Sequence, residues 1–81
     1  MNAEEVFGKL QTMIAEHFGI DKDEITRQSS LVDDLGADSV DLIDFVMEME
    51  EQFGLDEIPD EDYSQLKTVG DCVDYLVRKA N

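Results

Sequence analysis

Apolar residues in the first segment fall at Ala3, Val6, Phe7, Leu10, Met13, Ile14 and Phe18, the i, i+3, i+4, i+7 spacing of a one-sided helix. Gly19 and then Asp21 close it. Between residues 19 and 37 the period disappears: Gly19, Asp21, Asp23, Ser29, Ser30, Asp33, Asp34 and Gly36 are interspersed with the isolated apolar residues Ile20, Ile25, Leu31, Val32 and Leu35. This predicts a long loop pegged to the core by those five side chains. Loops of such length in small domains usually carry function, so its end near Gly36 is where chemistry is sought.

From Ser39 to Phe53 neither Gly nor Pro interrupts the run. At about 100° per residue, Leu42, Val46, Met49 and Phe53 share a core stripe while Asp41, Asp44, Glu48 and Glu51 gather roughly opposite. Val40, Ile43 and Met47 lie between the two. Periodicity allows two readings of that flank: additional core behind a solvated polar face, or exposed apolar side chains along an acidic edge suited to docking. After Gly54, Leu55 to Pro59 reads as a turn, and Asp60-Glu61-Asp62 begins a short helix through about Leu66. Thr68 is placed to cap a last helix whose apolar face is Val69, Val73, Leu76 and Val77, with Arg78 and Lys79 in the final turn where cations complement the helix dipole. No strand pattern is present. The expected fold is all-α, a small four-helix bundle of three main helices plus one short helix, with a long loop between helices one and two.

Length and charge narrow the function. Eighty-one residues support one domain, 1–81, and exclude a multi-domain enzyme. The formal charge of −15 opposes nucleic acid binding, which needs a basic face, and favours basic protein partners. At 42% apolar residues the chain lies above the composition of disordered segments. The lone Cys72 permits no internal disulfide and, beside a single His, no metal-ligand cluster. An acidic N-terminus unlike a signal peptide and the lack of a membrane-length apolar run lead to the expectation of a cytoplasmic protein, taken as a monomer without a membrane span.

Few residues of the chain suggest catalysis. His17, the only imidazole, lies far in sequence from Ser39 and reads as a surface or core-edge residue, and no nucleophile-elbow pattern occurs. Asp21-Lys22-Asp23 and Asp60-Glu61-Asp62 lack the glycine and closing glutamate of a calcium loop, so no metal site is expected. Ser39 is placed differently. It follows Gly36-Ala37-Asp38 at the first turn of a helix, where Asp38 can cap and the N–H groups of the terminus would tolerate a phosphodiester on the hydroxyl. From position alone, an ordinary exposed serine near a cap is the commoner reading and stays ahead.

Asp34-Leu35-Gly36-Ala37-Asp38-Ser39-Val40-Asp41 resembles the phosphopantetheine attachment motif of acyl carrier proteins, which in most members reads D-L-G-A-D-S-L-D. Phe45-Val46-Met47, Met49-Glu50-Glu51-Gln52-Phe53, Ile58-Pro59-Asp60-Glu61-Asp62 and Thr68-Val69-Gly70-Asp71 are similar to segments of discrete bacterial carriers of type II fatty acid synthesis, so the resemblance covers essentially the whole chain. It implies that Ser39 receives phosphopantetheine from coenzyme A through a carrier-protein synthase. The thiol of that arm would then carry acyl chains as thioesters to acyl-processing enzymes with basic docking patches. It also implies that Asp38, Val40, Asp41, Asp44, Met47, Glu50 and Glu51 form the partner-binding helix, and that the protein is not an enzyme. A cleft beside Val46, Met47, Met49 and Ile58 is expected to shelter the acyl chain. Val40 stands where Leu is usual, Glu48 where a small residue is commoner, and Gly54-Leu55-Asp56-Glu57 is one residue longer than typical. Tyr63-Ser64-Gln65 replaces a small-residue-led segment. These departures admit a carrier for a specialised polyketide, lipopeptide or other lipid pathway. An unmodified acidic adaptor or divalent-cation-binding module is the alternative outside the family.

Overall fold

The computed structural model describes residues 2–80, and among them the chain is all-α, with helices α1 (Ala3–Phe18), α2 (Ser39–Phe53) and α3 (Val69–Ala80). Each helix begins on a side-chain cap. The Asn2 side chain accepts the Glu5 N–H at 2.9 Å, Asp38 accepts that of Asp41 at 2.9 Å, and Thr68 Oγ1 accepts that of Asp71 at 3.1 Å while Asp71 takes the Thr68 N–H in return. The expected short helix is present at Asp60–Gln65, but as a 3₁₀ helix, and a further 3₁₀ turn at Lys22–Glu24 was not foreseen. Six residues held between Pro59 and the Leu66 N–H, which donates to Tyr63 O, leave little room for the wider α turn.

α1 packs chiefly on α3, and the core joins Val6, Leu10, Met13 and Ile14 of α1 to Phe45, Val46, Met49 and Phe53 of α2 and Val69, Cys72, Val73, Tyr75 and Leu76 of α3. Two aromatic residues depart from the expected stripes. Phe45 is fully buried while Leu42 is only half-buried, so the inward face of α2 is turned towards Phe45. The cause is an aromatic contact with α1, in which Phe45 lies 5.8 Å from His17 and 6.0 Å from Phe18, centroid to centroid. His17 Nδ1 lies 3.1 Å from Glu48 Oε2, so Glu48 faces α1 and does not belong to a free acidic stripe. On α3, Tyr75 joins the core and its hydroxyl donates to Asp62 Oδ2 at 2.7 Å, tying the 3₁₀ helix down.

Four of the five expected loop pegs point inward: Ile25 and Leu31 are buried, and Ile20 and Leu35 are half-buried against the core. Val32 does not; it is 53% exposed, because residues 31–35 coil into a turn that directs Leu31 and Leu35 inward and leaves Val32 outside. The loop is clasped to the start of α3 by Leu31 N–H to Lys67 O (3.0 Å), Val69 N–H to Ser29 O (3.0 Å) and Gly70 N–H to Arg27 O (2.8 Å), forming a single bridge at Ser30 and Thr68. A Cβ on Gly70 would meet Arg27 O at 3.0 Å, so the absent side chain permits this approach.

Candidate functional site

The clasp fixes the segment that leads into α2. The Asp34 and Leu35 N–H groups donate to Ser30 O, Gly36 N–H donates to Val32 O, and Ala37, buried, donates to Leu31 O at 2.9 Å. Gly36 takes φ +72°, a left-handed conformation that a side chain would strain, and this reverses the chain out of the turn. Asp38 and Asp41 then satisfy each other's backbone, with Asp41 Oδ2 accepting the Asp38 N–H at 3.3 Å. Ser39 follows as the first residue of α2. It is exposed, and among the described residues no partner hydrogen-bonds its hydroxyl.

Beyond Ser39 the outer side of α2 presents Val40 (63% exposed), Ile43 (47%) and Met47 (58%) together with the exposed carboxylates Asp44 and Glu51. The flank is therefore surface, not additional core. Ile43 belongs to the same face and was absent from the residues matched by motif; its wheel position between Val40 and Met47 is the signal that marks it. Asp38 is exposed at the start of this face, whereas Asp41 is half-buried in the capping box. Glu50 is half-buried and its carboxylate accepts the Ile58 N–H, which fastens α2 to the following turn. A shallow groove along α2 is lined by Asp44, Met47, Glu48, Glu50, Glu51 and Leu55. The expected apolar cleft is not open: Val46, Met49 and Ile58 are buried in the core and Met47 stands outside it.

His17 and Ser39 are not brought together as base and nucleophile. Glu48, which holds His17, lies nine residues along α2 from Ser39, about 13 Å of helix rise, far beyond the reach a general base needs. Among the described residues no group of three or more His, Cys, Asp or Glu is arranged to hold a metal ion, and no helix is long and apolar enough to cross a membrane.

The phosphopantetheine attachment site family matches residues 8–76. An acyl carrier protein of Lactobacillus acidophilus is 46% identical over 76 residues, covering 94% of each chain. One of Bdellovibrio bacteriovorus is 51% identical over 71 residues, covering 88% of this chain and 90% of that protein. The chain belongs to the acyl carrier protein family. A solved acyl carrier protein structure from Enterococcus faecalis, described for its high thermal stability, superposes with a TM-score of 0.80 at 46% identity, covering 98% of this chain and 99% of that one. The family is one of carriers, not catalysts, and its cofactor is phosphopantetheine. The residues at the start of α2 fit that group: the Ser39 hydroxyl is exposed and unengaged, and the nearby Asp38 and Asp41 carboxylates are turned onto backbone N–H groups. The helix terminus, with N–H groups that lack intrahelical acceptors, favours a phosphodiester there.

Proposed function

We propose that Ser39 is the sole attachment residue for phosphopantetheine and that residues 1–81 act as one monomeric, cytoplasmic carrier domain with no catalytic activity of its own, serving fatty acid biosynthesis. The observation that carries this reading is the exposed, unengaged Ser39 hydroxyl at the first residue of α2, immediately after the Asp38–Asp41 capping box and within the segment that matches the attachment family. When bound, the arm supplies a thiol that carries acyl groups as thioesters. The protein's own part is to hold the serine at a helix end clear of the core and to offer partners a surface beside it. Asp38, Val40, Asp41, Asp44, Met47 and Glu51 are the docking residues, joined by Ile43. Glu50 contributes by setting the end of α2 as well as by its charge.

The partners are a carrier-protein synthase and acyl-processing enzymes whose basic patches complement the −15 charge. Glu48, one of the residues that depart from the common family pattern, is accounted for by its pairing with His17, so it gives no separate support to a specialised pathway. Intact mass spectrometry after incubation with coenzyme A, magnesium and a carrier-protein synthase tests the assignment. The wild-type chain is expected to gain one phosphopantetheine mass, and Ser39→Ala to fold normally and gain none. Modification of the Ser39→Ala protein would refute the assignment to Ser39, and a wild type that stays unmodified would favour an acidic adaptor that works through its carboxylates alone.

A further inference from the structure

The hydrogen bonds of the turn ahead of α2 converge on Ser30. Its N–H donates to Asp34 Oδ2 at 2.7 Å, its Oγ accepts the Asp33 N–H at 3.1 Å, and its carbonyl accepts the N–H groups of Asp34 and Leu35, each at 3.0 Å. Asp34 is an exposed residue, yet its carboxylate is folded back on the chain. The turn it closes is fixed on its other side to α3 through Leu31 N–H to Lys67 O. From Asp34 the chain reaches Ser39 through only four residues, and each is held: Leu35 and Gly36 by backbone bonds within the turn, Ala37 by burial and its bond to Leu31 O, Asp38 by its capping box with Asp41. No slack segment separates the turn from the serine. A loosened turn is therefore transmitted to the start of α2.

We propose that Asp34 is a positioning residue for Ser39: by holding the Ser30 N–H its carboxylate closes the turn at residues 30–36, and so fixes where α2 begins and where the hydroxyl is presented. The proposal rests on the reading of Ser39 as the attachment residue. An exposed acid so near the serine has one obvious competing role, direct contact with a basic partner, and that role works through charge. Positioning works through an acceptor oxygen. Asparagine separates the two, because it keeps an oxygen for the Ser30 N–H and removes the charge.

Wild type, Asp34→Asn and Asp34→Ala are compared by steady-state kinetics of phosphopantetheine transfer with a carrier-protein synthase. Amide hydrogen exchange at Ser30 and Ala37 is measured by NMR on the unmodified proteins. Asp34→Ala is expected to lower kcat about fivefold, the equilibrium effect of one lost hydrogen bond, with KM unchanged because the outer face of α2 is intact. Exchange at Ser30 and Ala37 should quicken in that variant, and Asp34→Asn should restore both readouts. A raised KM with equal impairment of the Asn and Ala variants would overturn the proposal in favour of partner contact by charge. Wild-type kinetics and wild-type exchange in Asp34→Ala would overturn it as well. Should the Ala variant not fold, a folded Asp34→Asn protein that loads slowly refutes positioning by itself, and one that loads at the wild-type rate excludes the charge role. Failure of the wild type to accept any phosphopantetheine would instead refute the reading of Ser39, while the exchange comparison, which needs no modification, still decides the role of Asp34 in the turn.

Discussion

Tyr75 shows how much one side chain can hold in a chain of this size. Its ring is buried in α3's core face, Arg78 and Lys79 lie over it, and its hydroxyl is the tie to Asp62. Burial, followed by the hydrogen bond to Asp62 and that carboxylate's charge, pushes the phenol up to about 12 from the usual 10.0, with Arg78 opposing. A folded-state value above the unfolded one means that the neutral phenol stabilises the fold fully below about pH 10 and that this stability is lost as the pH rises towards 12. Tyr75→Phe is accordingly expected to melt lower than wild type at neutral pH, by about 1 kcal/mol of stability. The gap should close as the pH passes 10, and thermal melts of both proteins between pH 7 and 11 would reveal it; a gap independent of pH would show that the hydroxyl does not titrate as a core group. Tyr75 was not legible as core from the sequence, because the stripe of Val69, Val73, Leu76 and Val77 already satisfied the helical period. Phe45 escaped for a related reason: a wheel gives the faces of one helix but not which neighbour supplies the aromatic partners.

At the scale of elements the three helices were legible, since Gly19 and Gly54 follow the first two and Asp38 and Thr68 precede the first turns of the last two, whereas the Asn2 cap of α1 was not read. The chemistry of helix ends is local and therefore visible in sequence. The contacts of α2 with its surroundings were not, because Glu48 meets His17 thirty-one residues earlier and Glu50 meets Ile58 across a turn. The exposed face that remains gives an element-level prediction. Asp44→Lys with Glu51→Lys should slow loading by the synthase, mainly in the association rate, and leave the helical circular dichroism unchanged; an exposed pair is worth about 0–1 kcal/mol, so the double reversal should exceed either single one. Val46→Ala acts on the opposite face. It removes packing from a residue 2% exposed and should lower Tm by roughly 10 °C, for about 2 kcal/mol lost, without a specific effect on docking. Normal loading by the doubly reversed protein would remove the case for this face as a docking surface.

For the whole molecule, 21 acidic against 6 basic residues leave a surface that repels itself in the compact state. Raising monovalent salt screens that repulsion, and millimolar magnesium or calcium should do so more steeply, through diffuse attraction rather than through a formed site. Tm is therefore expected to climb in both titrations, and a flat response would mean that self-repulsion contributes nothing. Composition alone carried this property, because net charge is a sum and needs no coordinates. The clasp between residues 27–31 and 67–70 lay at the other extreme: its bonds are backbone to backbone across some forty residues, and no side-chain pattern marks them.

The burial of Cys72 bears on the cargo. With no exposed surface and its thiol pushed up to about 12, first by burial and then by the neighbouring Asp71, this cysteine offers almost no thiolate at neutral pH. A thioester borne at the tip of an attached arm would thus meet no reactive cysteine on its own carrier. The same inertness makes the native protein its own gauge of loading: a thiol reagent should consume nothing from the unmodified chain and one equivalent from the chain with a free arm.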